Sequence, residues 1–70
     1  MFILTKKGRL INTRNITWIS RSHCAITALM FGDEAATLLA AYDSEDECEL
    51  AFDTLIETLK ARKELYTFGG

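Results

Sequence analysis

The first half of the chain consists of short hydrophobic runs separated by polar or glycine-containing interruptions. Residues 2–5 predict a strand, residues 6–8 a short turn around Gly8, and residues 9–12 the start of a return strand. Residues 12–15 form a second polar interruption, which is typical of a bulge or a tight turn. The pattern therefore predicts a β-hairpin followed by further strands.

The next two hydrophobic runs predict two more strands, joined by a turn at residues 20–22. The first run places Ile16 and Trp18 on one face, which predicts that Trp18 belongs to the core. The second covers residues 23–31 and is apolar on both faces. One face carries Cys24, Ile26, Ala28 and Met30, and the other carries Ala25, Thr27, Leu29 and Phe31.

Residues 35–42 permit two interpretations. Their alanine and leucine content favours a helix by intrinsic propensity. A turn at Gly32 and Asp33, together with a length matching that of the preceding strand, favours a strand. We predict a strand and keep the helix as the alternative.

A helix is expected over residues 45–65. Ser44 and Glu47 form a capping box, in which each side chain can accept a hydrogen bond from the other residue's backbone N–H. Cys48, Phe52, Leu55 and Leu59 follow at helical spacing. Acidic residues crowd the helix start and basic residues its end, as the helix dipole favours. Residues 66–70 are expected to form a flexible tail.

Together these elements predict one α+β domain over residues 1–70. A small antiparallel β-meander of about four strands lies within residues 2–42, and one amphipathic C-terminal helix packs on it. One helix covers one face of a sheet, so the second apolar face needs another cover. We expect a second copy of the chain, as a homodimer or higher oligomer, joined either by stacking of sheets or by edge-to-edge strand pairing. The predicted self-association residues are Ala25, Leu29, Phe31 and Leu38 or Leu39. If residues 35–42 were helical, a monomer would suffice.

Composition narrows the class of protein. The chain has 70 residues and 49% hydrophobic content, which excludes a disordered chain. The two cysteines are too few for a disulfide framework, and no run reaches the ~18 apolar residues of a membrane span. A soluble cytoplasmic protein with reduced thiols and no membrane partner is expected.

Charge is divided between the two halves of the chain. Residues 1–32 carry five basic residues and no acid, whereas residues 33–70 carry ten acids and three basic residues. The basic residues Lys6, Lys7, Arg9, Arg14 and Arg21, with Trp18 among them, suggest a nucleic-acid or anionic-nucleotide binder as an alternative function. The acidic second half and a pI near 5.2 oppose a general polyanion binder.

No pattern predicts catalysis, a metal or a cofactor. His23 and Cys24 are adjacent on the predicted strand, so their side chains point to opposite faces and cannot form a dyad. The chain lacks paired metal-ligand spacings and phosphate-binding loops. We therefore expect a non-enzymatic protein without a cofactor.

The segments LINTRNITWI and YDSEDE resemble a pattern found in short, mostly uncharacterised proteins of Gram-positive bacteria and their phages. The resemblance covers residues 3 to about 60, with a glycine-centred hairpin between the two segments. It implies a β-meander with a final helix, a strand at residues 35–42, and an accessory, host-modulating role in a phage or mobile element. The NITWIS segment also looks like a strand of LytTR-type DNA-binding domains.

The terminal FGG resembles the diglycine tails of ubiquitin-like sulfur carriers, which implies a carrier or adaptor as a further alternative. Those proteins place a strand, rather than a helix, just before the tail. The expected function is accordingly a self-associating protein-interaction module, with the nucleic-acid binder and the diglycine carrier as alternatives.

Overall fold

The computed structural model describes residues 1–68 and confirms an α+β fold with antiparallel-rich sheets. Its strands are β1 (Phe2–Leu4), β2 (Leu10–Asn12), β3 (Ile16–Ser22), β4 (Ala25–Met30), β5 (Thr37–Ala41) and β6 (Leu65–Thr67). A 3₁₀ turn, Thr13–Asn15, joins β2 to β3, and the helix α1 (Glu45–Lys60) lies between β5 and β6.

The strands form two three-stranded sheets rather than one meander. The first has the order β2-β1-β6, and the second has the order β3-β4-β5. Neighbouring strands are antiparallel except for β1 and β6, which run parallel. The predicted meander therefore forms only in β3-β4-β5. The 3₁₀ turn separates β2 from β3, which lie in different sheets, and β6 pairs with the second edge of β1.

The first hairpin forms where the sequence predicts it. Gly8 has a φ of 89°, a conformation that costs glycine little, and its N–H donates to the Thr5 carbonyl. The buried Thr5 hydroxyl accepts a hydrogen bond from the Arg9 N–H. The turn at residues 6–8 is thus closed by both backbone and side-chain bonds.

The turn predicted at residues 20–22 is wrong. β3 continues through Ser22, which pairs with Ala25, so His23 and Cys24 alone make the turn. Two-residue turns of this kind require positive φ, and His23 has a φ of 54°. Serine clusters favour turns, but here Ser20 pairs with Thr27 within the sheet.

A register shift between Ile16 and Trp18 corrects the prediction that Trp18 belongs to the core. One extra residue reverses the face onto which the following side chains point. Ile16 and Ile19 consequently pack against the core, while Trp18 lies on the opposite face and is 43% exposed.

Residues 37–41 form a strand, which confirms the strand interpretation and excludes the helix. A second register shift separates the pair Ile26–Ala40 from the pair Thr27–Leu38, so Leu39 has no direct partner on β4. Leu39 and Ala40 are both buried for this reason, whereas Leu38 lies on the other face.

The helix begins as predicted, and the Ser44 hydroxyl accepts a hydrogen bond from the Glu47 N–H. It ends at Lys60, earlier than the predicted residue 65. Arg62 follows with a φ of 55°, and the Lys63 N–H donates to the Thr58 carbonyl. This left-handed cap stops the helix without the usual glycine or proline.

The flexible tail predicted over residues 66–70 is wrong for residues 66–68. β6 pairs with β1, and the Phe2 N–H donates to the Glu64 carbonyl at 2.8 Å. Tyr66 and Phe68 are buried and meet edge to face, with ring centres 4.9 Å apart. Residues 69 and 70, which carry the diglycine prediction, lie outside the described residues.

The core lies between the helix and the inward side chains of both sheets. Its fully buried large side chains are Ile3, Ile26, Leu39, Cys48 and Leu55. Every second residue of β4, namely Ile26, Ala28 and Met30, faces this core. The helix therefore packs on only one face of the β3-β4-β5 sheet.

Candidate functional site

The face of the β3-β4-β5 sheet opposite the core is the candidate site, and we call it the outer face. Its side chains alternate in register with the buried ones, and the two bulges add Trp18 and Leu38 to it. The outer face consists of Trp18, Ser20, Ser22, Ala25, Thr27, Leu29, Leu38 and Ala41.

The centre of the outer face is apolar. Trp18 lies directly across from Leu29, and Leu38 lies across from Thr27. Trp18 and Leu38 are each 43% exposed, and Leu29 is partly buried among its neighbours. The hydroxyls of Ser20 and Thr27 form a hydrogen bond with each other, with 3.3 Å between their oxygens. None of these side chains is charged.

The structure separates the five predicted self-association residues. Ala25, Leu29 and Leu38 lie on the outer face. Leu39 is only 1% exposed and belongs to the core, which removes it from the candidate surface. Phe31 is 85% exposed but lies one residue beyond β4.

Phe31 lies at the rim between the two sheets and not on the outer face itself. Together with Arg9, Leu10 and Asn15 it lines a shallow depression between β2 and the end of β4. Leu10 is 58% exposed there, so the depression is lined by two large solvent-exposed apolar side chains, Leu10 and Phe31, together with polar groups. An association surface that extends past the sheet would reach this rim.

Trp18 is the outer-face residue that sequence analysis missed. Its assignment to the core assumed unbroken alternation from Ile16, and the bulge breaks that alternation. The only available signal was the polar side chain of Thr17 beside it, which does not distinguish a bulged strand from a regular one.

The predicted basic set does not converge on one site. Lys6 and Lys7 border β5, and Arg9 lines the depression beside Phe31. Arg14 belongs to the 3₁₀ turn, and Arg21 lies near the far end of β3. A single phosphate-binding patch that uses all five side chains is therefore not formed.

Charged and nucleophilic groups make few contacts with one another. The His23 Nδ1 lies 3.4 Å from the Glu45 Oε1, and both side chains are largely exposed. Burial raises the pKa of the Cys48 thiol, which the positive charge of Arg21 opposes. Within residues 1–68, histidine, cysteine and acidic side chains form no group of three that could hold a metal ion.

No family model, curated protein or solved structure matches this chain. Over the residues that the structure describes, no helix is both long and apolar enough to cross a membrane.

Proposed function

We propose that the chain is a small, non-enzymatic interaction module that self-associates through the outer face of its β3-β4-β5 sheet. The observation that carries this proposal is the uncovered apolar centre of that face. Trp18 and Leu38 are nearly half exposed in a sheet whose other face is sealed by the helix.

Burial of this face would stabilise a chain of marginal size. A domain of 70 residues hides only about 60% of the surface of its unfolded chain, so assembly is a common means of adding buried apolar area. Tryptophan and leucine on a face whose other side chains are small or carry hydroxyls suit packing against a matching face. A two-fold arrangement brings the same side chains together from both copies.

Several features favour association with a protein over catalysis or binding of a nucleic acid. The outer face contains no titratable side chain, and of the five basic residues only Lys6, Lys7 and Arg9 share one element, the connection between β1 and β2. These features suit a protein partner better than a phosphate backbone. An accessory role in a phage or mobile element rests on the sequence resemblance alone and forms the wider part of this proposal.

Sedimentation velocity at micromolar concentration tests the proposal. We expect a species of at least twice the 7.9 kDa chain mass. Leu38→Asp should yield the single chain, because a carboxylate placed in an apolar interface must be desolvated.

Leu50→Asp is the matched control, since Leu50 is a leucine that is 69% exposed on the helix, away from the outer face. It should keep the assembly of the unmodified chain. A clean 7.9 kDa species for the unmodified chain, or equal loss of assembly in both variants, would contradict the proposal.

A further inference from the structure

β3 presents an open edge of the sheet. It is the longest strand, with seven residues, and within the described chain it pairs with β4 alone. No backbone hydrogen bond links its outward side to another segment of residues 1–68. Unpaired backbone groups on an edge strand are a template for adding another strand.

The direction of these backbone groups follows from the hairpin. A two-residue turn at His23 and Cys24 makes Ser22 and Ala25 a hydrogen-bonded pair, and such pairs alternate along an antiparallel ladder. The N–H and C=O groups of Ile19 and Arg21 consequently point away from β4. Together they offer two donors and two acceptors to an incoming strand.

The opposite edge of the same sheet is partly closed. The Lys6 N–H donates to the Leu39 carbonyl at 3.2 Å, and its Nζ lies 3.4 Å from the Ala41 carbonyl oxygen. β5 is therefore a poorer template, which leaves β3 as the accessible edge of this sheet.

Charge indicates which kind of strand the edge accepts. Arg14 precedes β3 and Arg21 lies near its end; both are exposed, and neither forms an ion pair within residues 1–68. The acids at the start of α1 lie on the same side of the sheet as Arg21, but Glu45 there contacts His23 and not an arginine. We infer that the β3 edge binds an extended acidic peptide by strand addition, with acidic side chains near Arg14 and Arg21.

The same charges disfavour a second copy at this edge. Antiparallel self-pairing centred on Ile19 would place Arg21 opposite Thr17 of the other copy and bring the Arg14 of each copy towards the Arg21 of the other. Neither arginine has an ion-pair partner within residues 1–68 that would offset this approach. Self-pairing would thus only add positive charge along the strand pair, whereas an acidic peptide brings opposite charge to the same positions, so we assign the edge and the outer face different partners.

A synthetic peptide, acetyl-Glu-Glu-Val-Thr-Val-Thr-Val-Glu-Glu-amide, tests this inference. Trp18 lies on β3 and is the single tryptophan of the chain, so its fluorescence reports binding directly. We expect a saturable change in its emission that weakens as salt is raised. Sedimentation of the same samples separates peptide binding from any change of assembly.

Two altered peptides separate the contributions of backbone and charge. Methylation of alternate backbone nitrogens removes the donors of one peptide edge and, applied to each edge in turn, should abolish binding for one of the two patterns. Replacement of every glutamate by lysine should also abolish binding, because the arginines would then repel the peptide.

The matched protein variants are Arg14→Glu with Arg21→Glu, and Lys7→Glu with Lys63→Glu. Both change the net charge equally, but only the first pair flanks β3. The first should weaken peptide binding by about tenfold or more, and the second by less. Circular dichroism verifies that both remain folded.

Three outcomes would overturn the inference. The first is no binding of the acidic peptide up to ~1 mM, the affinity range of the weakest specific contacts. The second is equal binding of both N-methylated peptides and the unmodified one. The third is equal weakening by the two double variants. None of them bears on assembly through the outer face, which Leu38→Asp tests separately.

Discussion

Lys6 links the two sheets at the level of single atoms. Its backbone N–H bonds to Leu39 of β5, while its Nζ lies 3.9 Å from the centre of the Tyr42 ring. A cation over an aromatic face at an exposed site contributes about 0.5–1 kcal/mol. Lysine at this turn therefore has a structural role, besides adding to the positive charge of the first half.

We expect Lys6→Ala to lower the free energy of unfolding by about 0.5–1 kcal/mol, since the backbone bond survives and the ammonium contacts do not. Urea denaturation at neutral pH measures the change. Lys7→Ala is the control, because Lys7 is an exposed neighbour that makes no such contact within residues 1–68. Equal effects of the two changes would show that the Tyr42 contact contributes nothing.

Burial at three side chains makes stability depend on alkaline pH. Burial raises the pKa of the Cys48 thiol and of the Tyr66 phenol, and burial together with nearby Tyr66, Cys48 and Glu47 raises that of Tyr42. The unfolded chain therefore loses these protons at a lower pH than the folded chain. Their contribution is complete below the ordinary thiol pKa of 9.0 and is lost as the pH rises further.

The expected result is a free energy of unfolding that falls between about pH 9 and pH 11. Urea titrations across that range measure it. Tyr66→Phe should reduce the slope, although it also removes the 3.3 Å bond from the Tyr66 hydroxyl to the Ala51 carbonyl and so costs about 1 kcal/mol at neutral pH. Stability that stays level or rises in alkali would contradict this cause.

At the scale of elements, the residue that follows the helix end has an unfavourable backbone conformation. Arg62 has a φ of 55°, a left-handed conformation that costs a residue with a Cβ about 1 kcal/mol. The cap is nevertheless closed by the bond from the Lys63 N–H to the Thr58 carbonyl. The backbone here is more favourable for glycine than for arginine.

Arg62→Gly should consequently raise the free energy of unfolding by about 0.5–1 kcal/mol, even though glycine is usually destabilising. Thermal unfolding followed by circular dichroism at 222 nm (a helix signal) gives the measurement. Arg62→Ala removes the same side chain but keeps the strain, so it should not stabilise the protein. Stabilisation by alanine as great as that by glycine would rule out the conformational explanation.

The elements that sequence predicts correctly are those with a local signal. The Ser44 cap, the Gly8 turn and the strand at residues 37–41 each follow from neighbouring residues. β6 has no such signal, since three residues are too short to show alternation, and its partner β1 lies at the other end of the chain. Only the folded chain brings these segments together.

The bulges explain why the candidate site was only partly predictable. Both insert one residue without a glycine or proline to mark the place, and each changes which side chains face outward. Leu38 and Leu39 could not be distinguished for this reason, and Trp18 was assigned to the core. The existence of a second apolar face was predictable, whereas its membership depended on register.

At the scale of the whole molecule, the pairing of β1 with β6 brings the two ends of the described chain together. The parallel register joins Phe2 to Leu65 and Leu4 to Thr67. This completes the first sheet and lets Phe68 reach the core, while nothing in residues 1–68 covers the outer face of the β3-β4-β5 sheet. Apolar surface is therefore left exposed on one side of the molecule.

The accessibility of Trp18 on dilution tests the central claim most directly, because it is the single tryptophan and lies on the outer face. Acrylamide quenching of its fluorescence is measured from high micromolar to nanomolar protein. We expect weak quenching at high concentration and strong quenching on dilution, as the copies separate and expose the indole. A quenching constant that stays the same, and high, across the whole range would contradict self-association through this face.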